Sequence, residues 1–157
     1  MTLTIRPFHL DDAPALLRLF RDTIRRVNCR DYAPEQVEAW ASDEIDEAAW
    51  ASRFLGRFVV VAEADGQIAG FAELEPNGHL DRVFVSADHQ GQGIGHALLD
   101  AIEAEARRVG LQQLDADVSL TALPFFERRG FTTRSPQVVT LRGVEFRNVR
   151  MIRALDD

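Results

Sequence analysis

Apolar residues recur at helical spacing in two long stretches of this chain. Over about 11–27, Leu16, Leu17, Phe20 and Ile24 form one stripe, with Arg18, Arg21, Arg25 and Arg26 on the opposite side. Asp11 and Asp12 stand at its start, where acids suit the helix dipole, and Pro14 fits a first turn. Over about 94–109, Leu98, Leu99, Ile102, Ala106 and Val109 form the second stripe, and Gly110 marks its stop. Pro34 opens a shorter helix at about 34–42, and another is expected at 46–54. Elsewhere the pattern is that of strands. Residues 3–7 read as a first strand. Two β-rich runs within 57–75 are joined by Asp65-Gly66, a hairpin signal, and Pro76-Asn77-Gly78 leads into a third strand at 79–85. A strand at 111–118, a short helix at 121–130 and a closing hairpin turning at Arg142-Gly143 complete the chain.

The order is β, α, α, β, β, β, α, β, α, β, β. One helix crosses from the strand at 79–85 to that at 111–118, so these two are expected to be parallel neighbours with a right-handed connection. The other strands are joined by short turns and are expected to be antiparallel. The fold class is therefore α+β, a mixed and mostly antiparallel sheet flanked by helices. The 157 residues suit one domain over 1–157, with a core that buries roughly two thirds of the unfolded surface.

Composition removes several function classes. All 18 cationic side chains are Arg, so no P-loop lysine and no Schiff-base lysine exists. The net charge of -7 disfavours a nucleic-acid partner. No apolar run reaches the roughly 20 residues that cross a bilayer, and the N-terminus has no signal-peptide pattern. Cys29 stands alone, and no His/Asp/Glu cluster has metal-ligand spacing, so the expectation is a cytoplasmic protein without a metal.

The most informative segment runs strand, turn, helix from Val83 to Leu99, with Gly91, Gly93 and Gly95 in the turn. Three glycines in five residues let a backbone approach a ligand closely. Its N–H groups lie at a helix start, where they lack helical partners and favour an anion. This predicts a diphosphate site. A dinucleotide fingerprint Gly-x-Gly-x-x-Gly fails in register, because His96 takes the last glycine position. Asp115 and Asp117 stand where a ribose-binding acid could lie, but too little chain follows for a doubly wound sheet.

The turn reads instead Gln90-x-x-Gly93-x-Gly95. Here the sequence resembles the GNAT superfamily of N-acetyltransferases, whose pyrophosphate motif is Gln/Arg-x-x-Gly-x-Gly/Ala. The run Ala122 to Phe131 is similar to the family's A-x-x-F-Y-E-K-x-G-F segment, and the element order matches over nearly the whole chain. The resemblance implies an acetyl-CoA site in which the parallel strands splay and the pantetheine arm fills the gap. It implies that the backbone of Val83, Phe84 and Val85 meets that arm and polarises the thioester carbonyl. Gln90, Gly91, Gln92, Gly93, Ile94 and Gly95 would cradle the pyrophosphate. Ser119 stands where an Asn often touches the arm, and Phe126 would be an apolar wall of it.

Phe126 also marks a departure, because the family usually places there a Tyr that protonates the leaving thiolate. The only tyrosine here is Tyr32, far away in sequence. Ser119 or a water can serve instead, the thiolate can leave unaided, or the protein binds acetyl-CoA without efficient turnover. Amine attack also needs a proton acceptor. Asp81, two residues before the cofactor-binding run, is the first candidate and Glu73 the second; Glu75 and His79 are closer to a turn flank. Alternation places Glu73 with Glu75 on one face, and His79 with Asp81 on one face of their strand.

In this family the first helices shape the acceptor pocket. Here residues 33–52 hold Glu35, Glu38, Asp43, Glu44, Asp46 and Glu47 and no Arg, a field that would attract a cation. Tyr32, Trp40 and Trp50 could line such a site. The leading expectation is direct acetyl transfer from acetyl-CoA to a small, cationic primary amine. The alternatives are a protein or peptide acceptor, and a non-catalytic acetyl-CoA sensor. A homodimer is compatible with the chain.

Overall fold

The computed structural model describes residues 1–155. Seven strands form one sheet: β1 (Leu3–Pro7), β2 (Phe58–Ala64), β3 (Gln67–Leu74), β4 (His79–Val85), β5 (Gln113–Ser119), β6 (Thr132–Leu141) and β7 (Val144–Ala154). Their spatial order is β1-β2-β3-β4-β5-β7-β6. Every neighbouring pair is antiparallel except β4 and β5. The turns Asp65-Gly66 and Arg142-Gly143 have positive φ at both residues, the conformation that matches the twist of tight hairpins.

Helices cover both faces. On one lie α1 (Ala13–Arg26), α2 (Pro34–Trp40) and α3 (Glu47–Ser52); α4 (Ile94–Arg108) covers the other, followed by α5 (Leu123–Arg128) at the end of β5. Period-two alternation divides β2 between two cores. Val59 and Val61 pack with Leu16, Leu17, Phe20 and Ile24 of α1, while Val60, Ala62 and Ala64 pack under Leu98, Leu99, Ile102 and Ala106 of α4. At roughly 1.5–3 kcal/mol for each large aliphatic side chain removed from water, these stripes hold the layers together.

One expectation changes. Val109 lies just past α4 and is exposed, so it is not part of the stripe. Asp12 makes no side-chain cap at α1; its carboxylate takes two hydrogen bonds from Arg6, at 2.8 and 2.9 Å, and so ties β1 to the helix start. The strand β6 begins at Thr132, well before the apolar run Val138-Val139; it is an exposed edge strand whose register with β7 is set from the Arg142-Gly143 turn.

Candidate active site

The parallel pair β4 and β5 is joined only at His79↔Asp115 and Leu80↔Ala116. Beyond these residues the strands separate, and β5 continues along β7 as far as Ser119↔Asn148. A bulge in β4 starts at the same point, where Asp81 and Arg82 together oppose Glu73 of β3. Leu80 and Val83 both pack on the α4 side. The two residues between them share the opposite side, where Arg82 lies over the ring of Trp50 at 4.2 Å and Asp81 meets Arg53 and Arg57. Simple alternation does not foresee this placement.

A cavity of about 860 Å³ occupies the gap. Val83, Phe84 and Val85 line one wall, and Ser119 and Phe126 another. One end reaches the glycine turn, where Gln90, Gly91, Gly93, Ile94 and Gly95 line it; Gln92 is not part of the wall. Gly91 and Gly93 have φ of +72° and +83°, and a Cβ at either would meet nothing within 4 Å. Conformation therefore calls for glycine there, while the space before the turn stays open. Gly93 caps α4, and the first helical bond of this end runs from Ala97 to Gly93, so the preceding N–H groups have no helical acceptor. The Gln90 amide does not reach outward. It donates to the carbonyls of Val85 at 2.8 Å and Ser86 at 3.3 Å and braces the turn. Gly95 serves another purpose, since a Cβ there would stand 3.0 Å from the Phe125 ring of α5.

At the apex of the gap the carboxylates differ in kind. Glu73 is fully buried. It accepts from Nε and Nη2 of Arg82 and, at 3.1 Å, from Nη1 of Arg57. It does not line the cavity and acts as a bracket between two guanidiniums, contrary to its place as second candidate base. Asp81 does line the cavity, and accepts from Arg57 at 2.5 Å and Arg53 at 2.9 Å. Burial pushes its carboxyl up, but the hydrogen bond from Arg57 and the charges of Arg53, Arg82 and Arg57 outweigh that and hold it below the usual carboxylate range. Glu75 joins the same Arg57 at 3.7 Å. His79 is engaged with Asp115 through Nδ1 at 2.5 Å, and Arg150 holds both Asp115 and Asp117. Asp117 lines the cavity. Sequence spacing gave no sign of this His–Asp pair, because its members are brought together only by strand register.

Ser119 accepts a hydrogen bond from Ala122 N–H at 3.1 Å, which leaves its own proton free to donate. Phe126 is buried against Phe125 and Phe131. Tyr32, remote in sequence, comes to the end of β5: its hydroxyl donates to Arg147 O at 2.8 Å and accepts from Leu120 N–H at 3.0 Å. Burial pushes that phenol up.

A splayed parallel pair and a glycine turn opening a helix on one cavity agree with comparison to known proteins. The family model of the acetyltransferase (GNAT) domain matches residues 28–152. The chain belongs to the GNAT family of N-acetyltransferases. It is 33% identical over 150 residues to YafP of Escherichia coli K12, an uncharacterised N-acetyltransferase, covering 95% of this chain and 94% of that protein. A GCN5-related N-acetyltransferase of Rhodopseudomonas palustris superposes with a TM-score of 0.94 at 34% identity, over 99% of this chain and 97% of that one. The yncA protein of Salmonella typhimurium, solved with its cofactor acetyl-CoA, shares the fold with a TM-score of 0.73 at 24% identity, over 100% of this chain and 96% of that one.

The other end of this GNAT cavity lies under α1 to α3 and the β6–β7 hairpin. Three side-chain bonds to backbone dock the α1–α2 segment on that hairpin: Tyr32 to Arg147 O, Gln36 to Glu145 O at 2.8 Å and Arg142 to Ala39 O at 2.7 Å. Of the acidic run in 33–52 only Glu44 and Asp46 line the cavity. Asp46 caps α3 through Ala49 N–H, and Asp43 is paired with Arg25 at 2.7 Å. Tyr32, Trp40 and Trp50 all line it, though Trp50 is also a core residue, and Cys29 does not. Among the described residues no group of three or more His, Cys, Asp or Glu is placed to hold a metal ion, and no helix is long and apolar enough to cross a membrane.

Proposed function

We propose that this N-acetyltransferase is a cytoplasmic enzyme that moves the acetyl group of acetyl-CoA directly to a primary amine, both substrates being bound together. The observation that carries this reading is the single cavity running from the free N–H groups of the α4 start, through the β4–β5 gap, to the carboxylate of Asp81. The backbone of the turn Gln90–Gly95 holds the pyrophosphate as a partly positive concavity, with the Gln90 side chain stiffening it. The backbone edge of Val83 to Val85 that β5 leaves unpaired, apart from the Val85 carbonyl held by Gln90 and Thr23, takes the pantetheine amides, and one N–H polarises the thioester carbonyl. Ser119 and Phe126 face the arm from the β5 side.

In the transfer a carbon–nitrogen bond forms and the carbon–sulfur bond breaks; the amine gives up a proton and the coenzyme thiolate takes one. Asp81 is ionised at neutral pH and lies on the acceptor side of the bulge, so it is the group that meets the ammonium form and draws off its proton, directly or through water. The Ser119 hydroxyl, whose proton is free to donate, stands in for the missing phenol; the Tyr32 phenol already donates to Arg147 O, and Phe126 supplies no proton. Amine-dependent thiol release from acetyl-CoA tests the reading. A protein that only senses acetyl-CoA would bind it calorimetrically and release no thiol with any amine.

A further inference from the structure

We infer that the acceptor is a monoamine carrying an aromatic ring; this rests on the acetyl-transfer reading above and names the substrate class of the same site. The acceptor half of the cavity is walled by rings drawn from distant parts of the chain. Trp50 of α3 meets Phe20 of α1 at 4.9 Å, and Phe20 meets Phe84 of β4 at 5.0 Å. Phe84 meets Trp40 of α2 at 6.2 Å, and Trp40 meets Tyr32 at 5.4 Å and Phe146 of β7 at 6.1 Å. All six line the cavity.

Trp40 meets Tyr32, Phe84 and Phe146 at interplanar angles of 72°, 65° and 72°. Rings set at such angles form a box that can take another ring edge-to-face or offset. Trp40 and Phe84 are only half-buried, so they are the rings presented to a ligand. Phe84 stands between Val83 and Val85, so the aromatic wall begins at the run assigned to the thioester.

Two of the three polar handles of the box are already engaged, the Trp40 indole N–H being the one left to a ligand. The Tyr32 hydroxyl is bonded on both sides, and Trp50 Nε1 donates to Ala13 O at 3.0 Å. A polyhydroxylated acceptor would leave most of its own hydroxyls without partners against these walls, at a cost in affinity. Charge limits the acceptor in the same way. Of the acids lining the cavity, Asp81 is countered by Arg53 and Arg57 and Asp117 by Arg150, while Glu44 has no Arg partner among the described residues. Asp46 is tied to the start of α3. A polyamine entering here would find its first ammonium at Asp81 and, for the rest, Glu44 as the one cavity acid with neither an Arg partner nor a capping bond, whereas a single amine with an apolar body matches the aromatic walls.

Initial rates of thiol release from the intact protein at saturating acetyl-CoA, with 2-phenylethylamine, butylamine, spermidine and kanamycin as acceptors, test this. We expect kcat/KM for 2-phenylethylamine to exceed each of the others by about tenfold or more, a difference of about 1.4 kcal/mol. Trp40→Ala should reduce the advantage over butylamine to about twofold, and Trp40→Phe should restore most of it, with acetyl-CoA affinity by calorimetry the same in all three proteins. A preference for spermidine, kanamycin or butylamine, equal rates for all four, or an advantage untouched in Trp40→Ala would overturn the inference and leave acetyl transfer standing. Tight acetyl-CoA binding with no thiol release from any amine would overturn both. If Trp40→Ala does not fold, Phe146→Ala takes its place with the same expected loss of advantage.

Discussion

Nη1 of Arg57 donates to Asp81 at 2.5 Å and to Glu73 at 3.1 Å, so one guanidinium nitrogen spans a cavity carboxylate and a core carboxylate. This fixes the bulge that turns Asp81 toward the acceptor side. It also separates two acids that look alike in sequence: Glu73 is closed in by Arg82 and Arg57, while Asp81 keeps access to the cavity.

Arg57→Ala should leave Glu73 bonded to Arg82 alone and remove the nearest partner of Asp81. Breaking a buried ion pair costs about 3–5 kcal/mol, and the partial exposure of Asp81 with the remaining Arg53 bond reduces this to about 2–3 kcal/mol. Urea unfolding at pH 7 measures it. A change below about 0.5 kcal/mol would show that the cluster does not organise the bulge.

The Asp81 carboxyl is held below its unfolded value, so its ionisation stabilises the fold. That contribution is complete above the ordinary carboxylate range and is lost as pH falls through the lower folded value. Asp81→Asn should therefore be less stable than wild type at pH 7, with the gap closing in acid. In turnover, Asp81→Asn should lose between about 10- and 100-fold at pH 7, at or below the roughly 100-fold lower bound of general-base effects, since a carboxyl held down is a weak base. Part should return at high pH, where the amine is already deprotonated. A pH–rate profile that the substitution leaves unchanged would remove Asp81 from the chemistry.

Gly93→Glu places a negative side chain in the open space before the α4 start, and acetyl-CoA binding should be abolished in calorimetry. Gly93→Ala is the companion. At φ +83° any Cβ costs about 1–2 kcal/mol of stability, but no neighbour lies within 4 Å, so alanine should bind acetyl-CoA far better than glutamate does. Tight binding by folded Gly93→Glu would put the pyrophosphate elsewhere.

Phe126→Tyr adds a phenol where the family usually has one. If proton delivery to the thiolate does not limit the rate, turnover should change by less than about threefold, or less than about 1 kcal/mol of barrier. The buried hydroxyl could cost about 1–3 kcal/mol of stability if it finds no partner. A tenfold or larger gain with a verified amine would show that the wild-type chain lacks an effective acid.

The order of elements along the chain, the parallel pair and the turn at Gly91–Gly95 were legible in the sequence because each rests on local chemistry: glycine conformations, hairpin pairs and two helical stripes; the place of β7 between β5 and β6 was not. What was not legible depends on register and distance. The bulge at Asp81-Arg82 needs β3 and β4 paired before it exists. The His79–Asp115 pair needs the parallel neighbours aligned. Tyr32 comes to Leu120 only when α1 and β5 lie on one frame, so a phenol near the β5 end had no signal in the run from Ala122 to Phe131. The acidic stretch 33–52 looked like a broad cationic trap, but Asp43 is paired with Arg25, Asp46 caps α3, and only Glu44 and Asp46 of the run reach the cavity, placements set by tertiary contacts and backbone geometry.

The most direct test of the central claim is initial-rate kinetics of thiol release with acetyl-CoA and an aromatic monoamine varied together. Direct transfer predicts one thiol per N-acetylated amine, intersecting double-reciprocal lines, and no burst of thiol when acetyl-CoA is mixed with enzyme alone. Parallel lines with an amine-independent burst would point to an acetylated enzyme, and binding of acetyl-CoA without amine-dependent release would contradict acetyl transfer altogether.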